Sequence, residues 1–218
     1  FDINATFQAS CSGIAGRTVR VCPNFGAGSG GVAAGGNPRY MLSGTTQLRY
    51  NIYRNNARTT VWGSRFWGFA PTPPTVNVTL NGAGVGSATF VARGRIPSGQ
   101  TSLPTGIYTS SFAGSHTLVA YAYSTVGNCA AIGTTNATQV PFTVTANNNS
   151  SCTVSATTLD FGNRGVLDAN IDATNQITVT CSSAVPYTVS LNGGSSGASD
   201  PTQRKMSLGP TQITYGIY

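Results

Sequence analysis

Glutamate is absent from these 218 residues, and lysine and histidine occur once each, at Lys205 and His116. Helices ordinarily clothe their solvent faces with Glu and Lys, so neither a helical bundle nor an α/β enzyme fold is the expected class. Only 8% of the chain is charged, with 12 basic residues against 5 acidic ones and a net charge of +7. No run of 18 apolar residues offers a membrane-spanning helix. The opening FDINATFQAS has no basic stretch ahead of an apolar one, so a secretory signal is expected to have been cleaved or to lie upstream.

The same scarcity limits chemistry. Five cysteines (Cys11, Cys22, Cys129, Cys152 and Cys181) lie far from any CxxC spacing, and one histidine leaves no Cys/His zinc cluster. A hydrolytic triad has a single candidate base, and His116 opens an alternating stretch, as a polar strand-edge residue does. Asp2 is the sole acid before residue 147, so the carboxylate pair of a glycosidase is missing there. DFGN (160–163) is similar to a kinase motif in its letters and has none of the other kinase parts. No catalysis, cofactor or metal is expected.

What is present reads as strands and turns. The 27 Gly and 11 Pro punctuate β-branched or alternating stretches. RTVRV (17–21), QLRYNIY (47–53), TVNVTL (75–80), ATFVAR (88–93), HTLVAYAY (116–123) and VPFTVT (140–145) predict strands. So do QITVT (176–180), YTVSL (187–191) and QITYGIY (212–218). Short strands at this spacing predict antiparallel β-sandwiches, with Leu48, Tyr50 and Ile52 on a core face. A 39% hydrophobic content supports a packed core.

The chain repeats itself. RYMLSGTTQLRYNIY (39–53) and RKMSLGPTQITYGIY (204–218) share eight of fifteen residues, including Arg39/Arg204, Met41/Met206 and Tyr50/Tyr215. Upstream, CSGIAGRTVRV from Cys11 matches CSSAVPYTVSL from Cys181 with one insertion. Two copies follow: residues 1–146, a polar linker at 147–151, and residues 152–218. Both are expected to be incomplete, the first lacking a cysteine-bearing strand ahead of Phe1 and the second its C-terminal part. Nine arginines against Asp2 make the first copy strongly basic. They are spread over 17–95 at alternate strand positions, which suits a solvated sheet face better than a phosphate track, and no nucleic-acid partner is expected.

The pattern C-x-V…L-x-FG…I-x-V-x-C…PY-x-V-x-L…R-x-M…I-x-Y-x-I-Y of the second copy resembles the spore coat protein U domain of archaic (Csu-type) chaperone–usher pilus subunits. In the first copy, ARTTVWGS (57–64) and LPTGIYTSSF (103–112) are similar to two further family segments. Ser64, and Ser110 or Ser111, stand where the family often has Asp. The resemblance implies tandem immunoglobulin-like sandwiches of the tip-subunit kind, with a surface-binding first domain and a pilin second domain. It also implies export through the periplasm and display at the tip of an extracellular pilus. Its partners would be a periplasmic chaperone, an outer-membrane usher and an adjacent subunit whose donor strand closes the pilin domain. VPFTVT can supply the first domain's last strand in cis.

Cys152 and Cys181 are expected to bridge the first two strands of the second copy, leaving Cys22 and Cys129 to pair and Cys11 with a partner upstream. Three glycine-flanked loops are candidate adhesive fingers: Val32, Ala33 and Ala34; Val85; and Ala130, Ala131 and Ile132. The second copy has polar NGGSSGASD (192–200) where the first has apolar GSGGVAAGGN (28–37), so exposed hydrophobicity is the feature to explain. Such fingers would meet hydrophobic abiotic or host surfaces and support biofilm formation. The competing readings are a glycan-binding lectin with a platform of Phe66, Trp67 and Phe69, and a purely structural pilus or coat subunit.

Overall fold

The computed structural model describes residues 1–123, 127–129, 132, 136–182 and 185–218. Its elements are all β apart from two short 3-10 turns, and all its strand pairs are antiparallel. Contacts divide the chain into two compact units, Phe1–Ala184 and Val185–Tyr218.

The first unit begins with a six-stranded sheet. β1 (Asp2–Ser12), β6 (Val85–Arg95), β4 (Thr46–Tyr53), β3 (Arg39–Ser43), β7 (Gly106–Phe112) and β10 (Phe142–Asn148) lie side by side in that order. A four-stranded sheet runs β5 (Val76–Thr79), β2 (Thr18–Pro23), β8 (Leu118–Tyr123), β9 (Ala137–Gln139). Alternation places one face of each strand inward. Leu48, Tyr50 and Ile52 are buried as expected, with Tyr108 and Phe112 from β7 and Trp62 beside them. Val19, Val21, Val78 and Val119 of the smaller sheet pack with Ala9 and Cys11 of β1 and Ala88 of β6, which joins the two sheets.

VPFTVT supplies a strand in cis, as β10 against β7. That strand continues through Asn147 and Asn148, opposite Ile107 and Gly106, so the expected linker 147–151 begins inside the sheet. The reason is local: Asn148 Nδ2 donates to the carbonyls of Leu103 and Pro104, 3.0 Å each, which holds the polar end of the strand in place. β11 (Cys152–Ala156) and β12 (Ile177–Cys181) form a hairpin within the same unit, and the change of compact unit comes after residue 184.

The second unit is held by the hairpin of β13 (Arg204–Leu208) and β14 (Thr211–Tyr215). The strand predicted at YTVSL (187–191) does not form, and Tyr187, Val189 and Leu191 are exposed. Its counterpart in the first copy, β2, is flanked by β5 and β8. Among the described residues no such neighbours flank 187–191, and a strand without partners has no ladder to hold it.

Both expected disulfides are present, Cys22–Cys129 closing 107 residues and Cys152–Cys181 closing 29. Cys11 carries none.

Candidate surface-binding site

Two turns are zipped together at the end of the first unit where β6 begins. The β5–β6 turn is organised by Asn81, whose Oδ1 accepts from Ala83 N at 2.9 Å and Val85 N at 3.2 Å. Gly84 closes it at φ +71°, a conformation that disfavours any Cβ. The β1–β2 turn lies alongside: Gly13 N donates to Gly84 O at 2.8 Å, and Ile14 N donates to Tyr123 Oη at 2.8 Å. A Cβ on Gly13 would fall 2.0 Å from that phenol oxygen, so the close approach requires glycine. Arg17 places its guanidinium 5.8 Å from the centre of the Tyr123 ring.

This backbone work leaves the side chains of the turns pointing at water. Ile14 is 62% exposed, Val85 48% and Tyr123 43%, with Ala15 and Ala83 also exposed beside them. Of the predicted finger residues, Val85 therefore stands on an apolar tip. Ile14 and Tyr123 are additions to the predicted set; S-G-I-A-G around Ile14 has the same glycine-flanked apolar centre as the three predicted loops.

The first predicted finger is elsewhere. Val32 is half-buried and bridges Arg39, which pairs with Tyr50 of β4. Asn51, the next residue of β4, pairs with Arg95, at the opposite end of β6 from Val85. At about 3.3 Å per residue, Val32 and Val85 are roughly 30 Å or more apart along the sheet. The loop folds back instead of projecting: Ala33 N donates to Pro38 O at 2.9 Å, and Gly36 abuts Trp67 and Pro71. Ala33 is half-buried and Ala34 exposed.

Of the third finger, Ile132 is held down together with Cys129. Ile132 is only 6% exposed and clusters with Cys22, Ala120 and Cys129 on the outer face of β2 and β8. The Cys22–Cys129 bridge ties this loop to β2, and Arg65 Nη1 reaches Cys129 O at 3.5 Å. Burial of Ile132 corrects its expected place at an exposed tip; Ala130 and Ala131 lie outside the described residues.

Phe66, Trp67 and Phe69 are half-buried and spend their contacts within the domain. Trp67 Nε1 donates to Pro71 O at 3.1 Å, its ring meets Phe69 edge-on at 5.4 Å, and the Arg39 guanidinium lies 4.7 Å from its centre. Arg65 covers Phe66 in the same way at 5.4 Å. A sugar platform needs a free aromatic face with polar groups around it, and here Arg65 covers Phe66, Arg39 and Gly36 cover Trp67, and Phe69 meets Trp67.

Electrostatically, Asp2 is gripped by two arginines, bidentately by Arg95 at 2.8 and 2.9 Å and by Arg58 at 3.4 Å. The Arg95 hydrogen bonds hold its carboxyl below the usual carboxylate range. Among the described residues no three His, Cys, Asp or Glu side chains gather to hold a metal. His116 sits in a 3-10 turn ahead of β8, where its carbonyl accepts from Gly26 N at 3.0 Å.

The spore coat protein U domain model matches residues 1–114 and 138–218. The chain belongs to the spore coat protein U domain family. No curated protein and no solved structure matches it. Membership makes it a pilus-type structural domain protein, of the kind handled by chaperone and usher during pilus assembly. The unmatched stretch between the two segments contains the Cys129 loop, and both turns of the apolar tip fall within the first matched segment.

Proposed function

We propose that this spore coat protein U domain protein is a pilus tip adhesin that meets hydrophobic surfaces through the apolar tip of its first domain. The observation behind the reading is the exposure of Ile14 and Val85 on two turns that are hydrogen-bonded to each other, with the exposed Tyr123 at the end of β8 beside them. Large apolar side chains held out by a rigid backbone lose little entropy on contact. Their burial contributes at most about 1.5–3 kcal/mol each, so one tip holds weakly and many pili hold by avidity. The first copy's last strand is supplied in cis, which suits a domain that ends a fibre. The pilin role falls to residues 152–218, closed by a donor strand from the adjacent subunit.

The test is attachment of piliated cells to polystyrene, with pilus number checked by microscopy. Ile14→Asp combined with Val85→Asp should abolish most attachment, whereas Val32→Asp should leave it near the parent level. Equal attachment by all three strains would overturn the tip assignment. Attachment blocked by free sugar, and lost on substitution of Phe66 or Phe69, would favour the lectin reading.

A further inference from the structure

Arginines that lie far apart in the sequence meet at one corner of the six-stranded sheet, where β6 ends and β1 begins. Ala92 of β6 is in the core, so Arg93 and Arg95 project from the opposite, outer face, across from Asn4 and Asp2 of β1. Arg58 folds back over the same face, its Nε donating to Gly94 O at 3.3 Å and its Nη2 to Asn4 Oδ1 at 3.0 Å. Arg93 Nη1 donates to Arg54 O at 3.4 Å, which brings the exposed Arg54 to the edge of the group.

These arginines share a single carboxylate. Asp2 accepts from Arg95 through both oxygens, at 2.8 and 2.9 Å, and Arg58 approaches it to 3.4 Å. Among the described residues Arg54 and Arg93 have no carboxylate partner, and Arg93 Nε is buried without a hydrogen-bond acceptor. The backbone is bent to make the cluster. Arg58 adopts φ +54°, a left-handed conformation that is costly for a residue with a Cβ. Asn55 holds that turn, its Oδ1 accepting from Thr59 N at 3.1 Å and Thr60 N at 2.9 Å. Like charges gathered against their repulsion on a strained turn mark a place for an anion. Beyond them the same face carries Thr6, Gln8 and Thr89, exposed neutral groups of the kind that bond sugar hydroxyls.

We propose that this corner binds a polyuronate, a linear polysaccharide with a carboxylate on each sugar. Arg54 and Arg93 take one carboxylate, and Arg58 and Arg95 take another by exchange with Asp2. Asp2 shows the mode, because Arg95 already grips it with the planar fork that fits a carboxylate. It also tempers the affinity, as a built-in competitor. The corner lies at the opposite end of β6 from Val85, roughly 30 Å away at the rise of a strand. It is therefore a second contact, and it does not rest on the adhesive reading of the apolar tip.

The probe is polygalacturonate, titrated onto the immobilised 218-residue protein at neutral pH and low salt. Arg54→Gln with Arg93→Gln should weaken binding about tenfold. Arg164→Gln with Lys205→Gln removes the same charge elsewhere and should leave binding within about twofold of the parent. Asp2→Asn should tighten binding about threefold by freeing Arg58 and Arg95, and Asp172→Asn, with the same change of net charge, should not. That gain keeps the proposal falsifiable even where the paired arginine variant fails to fold. The fully methyl-esterified polymer has the same backbone without the charge and should not bind. Parent-level binding by the Arg54/Arg93 variant, or an equal loss in the Arg164/Lys205 variant, would overturn the proposal. Asp2→Asn binding no more tightly than Asp172→Asn would do the same. So would duplex DNA of matched charge binding as tightly as polygalacturonate, since the corner would then attract any polyanion.

Discussion

Arg39 and Arg204 occupy equivalent positions of the repeat, and each buries its guanidinium under backbone carbonyls, with no carboxylate partner among the described residues. Arg39 donates to Gly26 O and Phe25 O at 2.7 Å, to Trp62 O at 2.6 Å and to Asn51 Oδ1. Arg204 donates to Asn192 O at 2.8 Å, to Leu191 O at 3.1 Å and to Pro201 O. A planar fork of five donors suits converging carbonyls that would otherwise be stranded out of water. Desolvation lowers the Arg39 guanidinium to about 10, which leaves it charged at neutral pH.

Removing that fork should be costly. Arg39→Met strands the carbonyls of Phe25, Gly26 and Trp62 in the core and should lower stability by about 3–5 kcal/mol. Arg39→Lys keeps the charge without the fork geometry and should recover only part of it. Urea unfolding followed by the fluorescence of Trp62 and Trp67 reads both. Equal stability of Arg39→Met and the parent would mean that the carbonyls find water.

The Cys22–Cys129 bridge makes a separable prediction. It closes 107 residues, for which loop entropy alone gives about 4–5 kcal/mol. Replacing both cysteines with serine should therefore lower the urea midpoint, and it should also release Ile132 from its cluster with Ala120. Faster proteolysis in the 127–132 stretch than elsewhere would report that release. Unchanged cleavage there would mean that Ile132 stays in its cluster without the bridge.

Much of this was legible in the sequence, and the misses have a common cause. The repeat located Arg204 from Arg39, the alternation in 47–53 gave the core face, and cysteine positions gave both bridges. Strand β1 escaped notice because DINATFQASCS places Phe7, Ala9 and Cys11 among polar residues, and with it went the turn that presents Ile14. The three loops were alike in composition, and composition does not encode where a loop sits. Val32 and Val85 are separated by the register running through β6, β4 and β3, and Ile132 is buried by a bond to a residue 107 positions before its neighbour Cys129. YTVSL failed as a strand for the same reason, since strand formation depends on neighbours that local propensity does not see.

Asp2 tests the electrostatics. Its folded value lies below 3.8, mainly through the Arg95 hydrogen bonds, with Arg58 adding to the attraction. A depressed carboxylate contributes stability that is present above its unfolded value and is lost as pH falls through the folded one. Asp2 should thus stay ionised below the ordinary carboxylate range on acidification, and Arg95→Gln should move its titration up toward 3.8. Carboxyl carbon shifts followed by NMR from pH 6 to pH 2 measure this directly. No movement in Arg95→Gln would mean that the pair is not formed in solution.

Gly13 lets the β1–β2 turn approach so closely that Tyr123 Oη accepts from Ile14 N, and a Cβ there would sit 2.0 Å from that oxygen. Gly13→Ala must expel the Tyr123 ring or move the turn, and either change breaks the link that fixes Ile14 beside Val85. The turn is exposed, so the stability cost should be modest, about 1–2 kcal/mol. Attachment to polystyrene should fall further than that cost implies, because a mobile Ile14 must be ordered again on contact. Tyr123→Phe separates the two effects: it keeps the ring and removes the acceptor for Ile14 N, and it should weaken attachment less than Gly13→Ala. Pili carrying Gly13→Ala that assemble normally and attach like the parent would show that adhesion needs the apolar side chains without their fixed spacing.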